Sequence, residues 1–194
     1  MVIEAARLAG IVPVVALDPG GAADLLGVPI RGGDELMEEV LAEGGIDAGI
    51  VALGSNGLRR KLGLRLRALG CAMPPVIHPA AIVSASARIG PGSQVMAGAI
   101  VQARAEIGAD CIINTGAIVE HDCVVGDGVH VAPRSVMGGS CRLGDGTLFG
   151  IGAVARPGTT IGAGVVVGAG AVVVADVVDG ATVVGNPAAP LKPR

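Results

Sequence analysis

From Ile77 onward an apolar residue returns at every sixth position. The series runs Ile77, Val83, Ile89, Val95, Val101, Ile107, Ile113, Val119, Val125, Val131, Met137, Leu143, Phe149, Ala155, Ile161, Val167 and Val173. All 17 positions are apolar, 8 Val and 5 Ile among them, and no insertion or deletion shifts the register. A period of six does not fit a helix, whose period is 3.6, but it is three strand periods of two. β-branched residues suit short strands. The next residue is Gly at 90, 108, 126, 138, 144, 150, 162 and 168, which predicts corners that need unusual backbone angles. Three units make a triangular coil of 18 residues, and stacked coils pair each strand with those above and below, about 4.8 Å away. The repeated aliphatics then form a continuous inner column. The predicted fold is mainly β, a hexapeptide-repeat parallel β-helix over 76–194.

Residues 1–75 carry a different pattern. Ile3–Ala9 reads as helix, and Ile11–Leu17 as a strand ending at Asp18-Pro19-Gly20-Gly21. Asp34 is placed to cap a helix running to about Glu43. Ala48–Leu53 reads as a second strand ending at Gly54-Ser55-Asn56, and Gly57–Leu69 as a helix whose Arg59, Arg60 and Lys61 form a solvated basic face. The alternation predicts a small parallel α/β unit, truncated Rossmann-like. Ligands of such sheets bind beyond the carboxyl ends of the strands. Asp18 and Gly54 lie there, and Asp18 serves either a ribose or base, or an ordinary turn. A nucleotide-binding unit opens with a strand and a Gly-rich turn. This chain begins inside the helix that should follow, so either the natural start lies upstream or the element is lost.

Composition narrows the picture. With one Phe and no Tyr or Trp, the core must be aliphatic, and 51% hydrophobic content with 16% charge argues against disorder. A net charge of −3 predicts no nucleic-acid partner. No apolar run is long enough for a membrane span, and the start lacks a secretory signal, so a cytoplasmic location is expected. Cys71, Cys111, Cys123 and Cys141 then read as reduced packing residues, a Cys123–Cys141 disulfide being the disfavoured alternative.

Two of the three histidines, His121 and His130, fall in a polar interruption of the repeat, Asn114-Thr115 through Glu120-His121-Asp122-Cys123. Histidine titrates near neutrality and suits proton removal from an attacking amine or hydroxyl. Gly139 follows His121 by 18 residues, which stacks it one coil above. Its amide can serve a developing oxyanion. Asp122 or Glu120 can orient the imidazole, Asp122 only if the corner bends there, because neighbours on a strand face opposite ways. Otherwise His121 is a surface turn histidine. His130 reads equally as structural, and His78 as structural.

The segment Ile113-Asn114-Thr115-Gly116-Ala117-Ile118-Val119-Glu120-His121-Asp122-Cys123, with Val129-His130-Val131-Ala132-Pro133, Gly138-Gly139 and the tail Val184-Gly185-Asn186-Pro187, resembles the sialic acid O-acetyltransferase and bacterial nucleotide-aminosugar N-acetyltransferase family of hexapeptide-repeat acyltransferases. The resemblance implies a left-handed β-helix and a homotrimer with active sites between subunits. It implies acetyl-CoA and a nucleotide-sugar as partners, and no metal. His121 would be the general base, Asp122 would raise its basicity, and Asn114 would lie near the reacting groups. His130 and Gly139 would meet the thioester, Ile151 and Ala169 would line the CoA channel, and Asp18 and Gly54 would contact the nucleotide-sugar. Pro19 departs from the family's acidic residue. The expected reaction is N-acetylation of a nucleotide-linked amino sugar. The alternatives are O-acetylation of a sialic-type sugar, a β-helix carbonic anhydrase, whose close histidine pair the spacing of His121 and His130 does not match, and a non-catalytic scaffold.

Overall fold

A computed structural model describes residues 1–191; the end of the tail, 192–194, lies outside the described residues. The repeat forms a left-handed parallel β-helix. Its strands are two residues long, from Val76–Ile77 to Val172–Val173, and the second residue of each is the sixfold aliphatic. Strands 18 residues apart pair in parallel, so that Val119 lies between Val101 and Met137. Three flat faces result. The first holds eight strands, closed by Thr182–Val184 and an antiparallel Ala189–Pro190; the second holds six and the third five. Val95 through Val173 stack in one core with Ala99, Ala117, Cys123 and Cys141. Burying each Val or Ile contributes roughly 1.5–3 kcal/mol, and repetition replaces aromatic bulk.

The glycines after the core positions serve a different purpose from the one the sequence suggests. Their φ angles are ordinary, and the left-handed residue comes two positions later, at 92, 98, 104, 110 and onward. A Cβ on Gly90 would sit 2.5 Å from the Gly108 backbone, and one on Gly144 2.4 Å from the Ala163 nitrogen. Close approach of the next coil, not backbone angle, demands glycine there.

On each strand the residue before the core position points outward. On the third face these are Arg88, Glu106, Val124, Arg142 and Thr160. On the second they are Ile82, Ile100, Ile118, Val136, Val154 and Val172, an outward apolar stripe of which Ile82 and Val154 are the most exposed.

The leading residues form helix α1 (Val2–Leu8), a 3₁₀ turn at Asp34–Leu36 running into α2 (Met37–Ala42), and α3 (Asn56–Ala68). Gly33, not Asp34, occupies the cap of the 3₁₀ turn, and its N–H is taken by Glu35 at 3.0 Å. A hairpin of Asp24–Leu25 with Val28–Pro29 turns through Leu26 and Gly27. The two expected strands shrink to single parallel bridges, Ala16 with Ile30 and Ala48 with Ala72, because each extended segment meets its partner over one residue only.

The basic face of α3 is only partly solvated: Lys61 is exposed and Arg60 partly so, but Arg59 is not. Arg59 is fully buried, with Nε donating to the Asp110 carbonyl at 2.7 Å, Nη1 to Leu53 at 2.8 Å, and Nη2 to the Gly128 carbonyl at 2.9 Å and Asn56 Oδ1 at 2.8 Å. A guanidinium leaves water only when its donors are matched, and here carbonyls of the β-helix do that. Arg67 grips the buried Asp110 carboxylate bidentately at 2.6 and 3.0 Å, and Arg60 reaches Asp145 at 3.0 Å. Helix α3 is therefore bolted to the corner between the third and first faces. Among the described residues no helix is long and apolar enough to cross a membrane.

Candidate active site

The corner between the second and third faces carries His121, Asp122 and Gly139. Asp122 adopts φ +61°, and this left-handed turn swings its side chain back beside its neighbour. His121 Nδ1 and Asp122 Oδ2 lie 2.8 Å apart. The bend that the sequence left open is thus present. Asp122 Oδ1 accepts from Arg104 Nε at 2.7 Å, one coil below. The hydrogen bond from His121, reinforced by Arg104, holds the Asp122 carboxyl below the usual carboxylate range. The imidazole is 59% exposed, with Nε2 directed upward to Gly139.

Gly139 sits one coil above, joined through Ser140 N–H to the His121 carbonyl at 2.8 Å. A Cβ at 139 would lie 2.6 Å from His121 Nε2, so only glycine leaves the imidazole in place. Among the described residues nothing accepts a hydrogen bond from the Gly139 N–H. The Gly138 carbonyl accepts from the Cys123 thiol inside the prism at 3.2 Å. In a trans peptide the N–H points opposite to the carbonyl, so the Gly139 N–H faces outward beside Nε2.

The remaining polar residues gather elsewhere. His130 lies on the first face, paired across its strands with Ile112 and Leu148. Its Nε2 is 2.9 Å from Asn114 Nδ2. Asn114 Oδ1 is 2.8 Å from the Thr115 N–H, which can only donate. The amide nitrogen therefore faces His130, Nε2 accepts, and the imidazole proton sits on Nδ1. Burial, and secondarily the Arg59 charge, push His130 down to about 4, so it is neutral at pH 7. Asn114 thus partners His130 within one chain.

Ile151 and Ala169 stack on the corner between the first and second faces, the Gly170 N–H bonding the Ile151 carbonyl at 2.8 Å, with Ile151 60% exposed. On the same corner, two coils below Ile151, a cleft of about 270 Å³ opens against α1, lined by Glu4, Leu8, His78, Met96 and Thr115. In one chain the two groups of polar residues thus flank opposite edges of the apolar second face.

In the small unit, Asp18 Oδ1 accepts from Gly20 N–H at 2.7 Å, as an ordinary turn aspartate does, and the Gly54 carbonyl accepts from Arg59 at 3.3 Å. No hydrogen bond joins either to the His121 corner among the described residues. The cysteines are all free thiols, and burial pushes Cys111 up to about 12. Among the described residues no three His, Cys, Asp or Glu converge as a metal site. The sequence reading missed Arg104, since only stacking of coils brings it to Asp122, and missed Arg59, whose burial depends on helix docking.

A family profile described as bacterial transferase hexapeptide (six repeats) matches residues 104–139 and 140–175. A search of curated proteins returns no match. Among solved structures, an alanine variant of one histidine in GDP-perosamine N-acetyltransferase from Caulobacter crescentus, in complex with CoA and GDP-perosamine, is 40% identical over 99% of this chain and 91% of its own, with a TM-score of 0.96. The acetyltransferase domain of PglB from Neisseria gonorrhoeae FA1090, in complex with acetyl coenzyme A, is 41% identical over 98% of this chain and 92% of its own, with a TM-score of 0.91. WeeI from Acinetobacter baumannii AYE is 30% identical over 90% of this chain and 84% of its own, with a TM-score of 0.82.

Proposed function

We propose that this chain, which belongs to the bacterial transferase hexapeptide family, moves an acetyl group from acetyl-CoA to the amine of a nucleotide-linked amino sugar. The chain is an acyltransferase, as its family and solved relatives are. The observation that carries the reading is the His121 Nε2 beside the Gly139 N–H, neither of which has a hydrogen-bond partner among the described residues. The C. crescentus relative was solved with GDP-perosamine, which makes a GDP-linked amino sugar the first acceptor to try.

In this mechanism the sugar amine attacks the thioester carbonyl carbon, and His121 Nε2 removes its proton. Nδ1 donates to Asp122, which stabilises the imidazolium as it forms. The carbonyl oxygen takes up negative charge facing the Gly139 N–H. When the C–S bond breaks, the CoA thiolate leaves and recovers the proton from His121. His130, Asn114, Ile151 and Ala169 meet the acetyl-CoA and the reacting groups, while Asp18 and Gly54 contact the nucleotide-sugar.

Both polar groups serve one site if copies associate through the second face. Its stripe of Ile82, Ile100, Ile118, Val136, Val154 and Val172 supports that packing. A homotrimer would then set the His121 corner of one copy against the His130 face of the next, and sedimentation equilibrium reads the copy number.

Incubation with acetyl-CoA and GDP-perosamine tests the reaction by mass spectrometry. The expected product carries one acetyl group as an alkali-stable amide. An alkali-labile ester would move the assignment to O-acetylation, and absence of both acetyl-CoA binding and product would leave a scaffold.

A further inference from the structure

The Asp122 carboxylate divides its two oxygens between two partners. Oδ2 faces His121 Nδ1 at 2.8 Å, while Oδ1 takes Arg104 through Nε at 2.7 Å and Nη2 at 2.6 Å. Arg104 lies one coil below, and the Asp122 N–H bonds the Ala103 carbonyl at 3.0 Å, which fixes the stacking of the two residues.

This pair stands in unusual backbone. From 92 to 170, the 14 corner residues at six-residue spacing all have positive φ, and nine are glycine. The five exceptions are Arg104, Asp110, Asp122, Arg134 and Ser140. Three of these, Arg104, Asp122 and Ser140, stack on the one corner that carries His121. A side chain in the left-handed region is strained. The ion pair does not offset that through stability: the Arg104 side chain is 74% exposed, and exposed pairs contribute little. Strain kept without a return in stability points to function.

We propose that Arg104 is a positioning residue for the His121–Asp122 pair: it occupies Oδ1, so that Oδ2 alone faces the imidazole, and it balances part of the carboxylate charge. The inference rests on the reading of His121 as the general base. Among the described residues few other charges intervene. Glu120 precedes His121 in the chain, Gly139 and Ser140 above are uncharged, and the Cys123 and Cys141 thiols are buried behind the corner. The charged groups that act on Asp122 are His121 and Arg104. Without Arg104 the carboxylate would hold the imidazolium more strongly, and the base would be silenced at a higher pH.

The test compares wild type, Arg104→Gln and Arg104→Lys by three measurements: NMR titration of the His121 imidazole in the substrate-free protein, the pH dependence of kcat/KM, and thermal unfolding. Arg104→Gln should raise the imidazole midpoint by about half a unit or more, shift the acid limb of kcat/KM the same way, and lower kcat/KM about 3- to 10-fold on that limb. The melting temperature should stay within about 2 °C. Arg104→Lys, which keeps the charge, should fall nearer to wild type. An imidazole midpoint unchanged in Arg104→Gln would overturn the inference. Full activity in His121→Ala would instead overturn the general-base reading. The NMR titration does not depend on turnover, so the two failures are distinguishable.

Discussion

His121 and His130 stand nine residues apart and end in opposite environments. His121 occupies a strained outer corner, exposed, with one nitrogen held by a carboxylate and the other free. His130 lies on a face against Asn114, near the buried Arg59 charge, and is kept neutral down to about pH 4. One is equipped to gain and lose a proton during turnover. The other is equipped never to gain one, and so to offer a fixed donor at Nδ1. Identical side chains are divided by their surroundings into two kinds of group, as paired acids and bases in enzymes commonly are.

The sharpest way to break this contrast is to remove the titrating imidazole. His121→Ala should lower kcat by about 10²- to 10⁴-fold with unchanged thermal unfolding, measured by release of free CoA. A variant as active as wild type would remove the distinction between the two histidines. A smaller loss is expected from Gly139→Ala. Its Cβ would meet His121 Nε2 at 2.6 Å, so the ring must move. A misplacement near 1 Å costs on the order of 10²-fold in rate, and acetyl-CoA binding by calorimetry should change far less than kcat. Equal losses in binding and turnover would count against a role in the reacting geometry.

The smallest effect concerns His130 and stability. Its folded-state value, about 4, lies below the ordinary 6.5, so the unfolded chain binds the proton first as pH falls. The neutral histidine therefore costs nothing above about pH 6.5, and stability declines between about 6.5 and 4 by on the order of 3 kcal/mol. Chemical denaturation at pH 7 and pH 4.5 should show this decline in wild type and a shallower one in His130→Asn. Equal slopes would mean that the imidazole is not held neutral.

Much of this was legible in the residues. The sixfold aliphatics gave the strand positions, the 18-residue coil, and the placement of Gly139 above His121, because a repeat without insertions transmits register unchanged. The glycines following each core residue were legible as a pattern but not as a cause, since a close approach between coils is invisible along one chain. The same limit hid Arg104 beneath Asp122. It also hid the Asn114–His130 contact, because that pair is 16 residues apart and runs diagonally between coils.

The leading residues were harder to read. Helices α1 and α3 were located within a residue or two, because helical hydrogen bonds are local. The extended segments at Ile11–Leu17 and Ala48–Leu53 retained only single bridges, since a strand exists only where a partner lies alongside it. Arg59 looked like a surface residue because arginine usually is one.

The chain alone determined the β-helix, its register and the chemical groups on offer, because those follow from local periodicity and from side-chain chemistry. Tertiary structure alone decided which groups meet: the left-handed corner that turns Asp122 to His121, the docking of α3 that buries Arg59, and the division of the two histidines between a corner and a face. Those depend on distances between coils and on exclusion of water, and neither quantity is defined until the chain has packed.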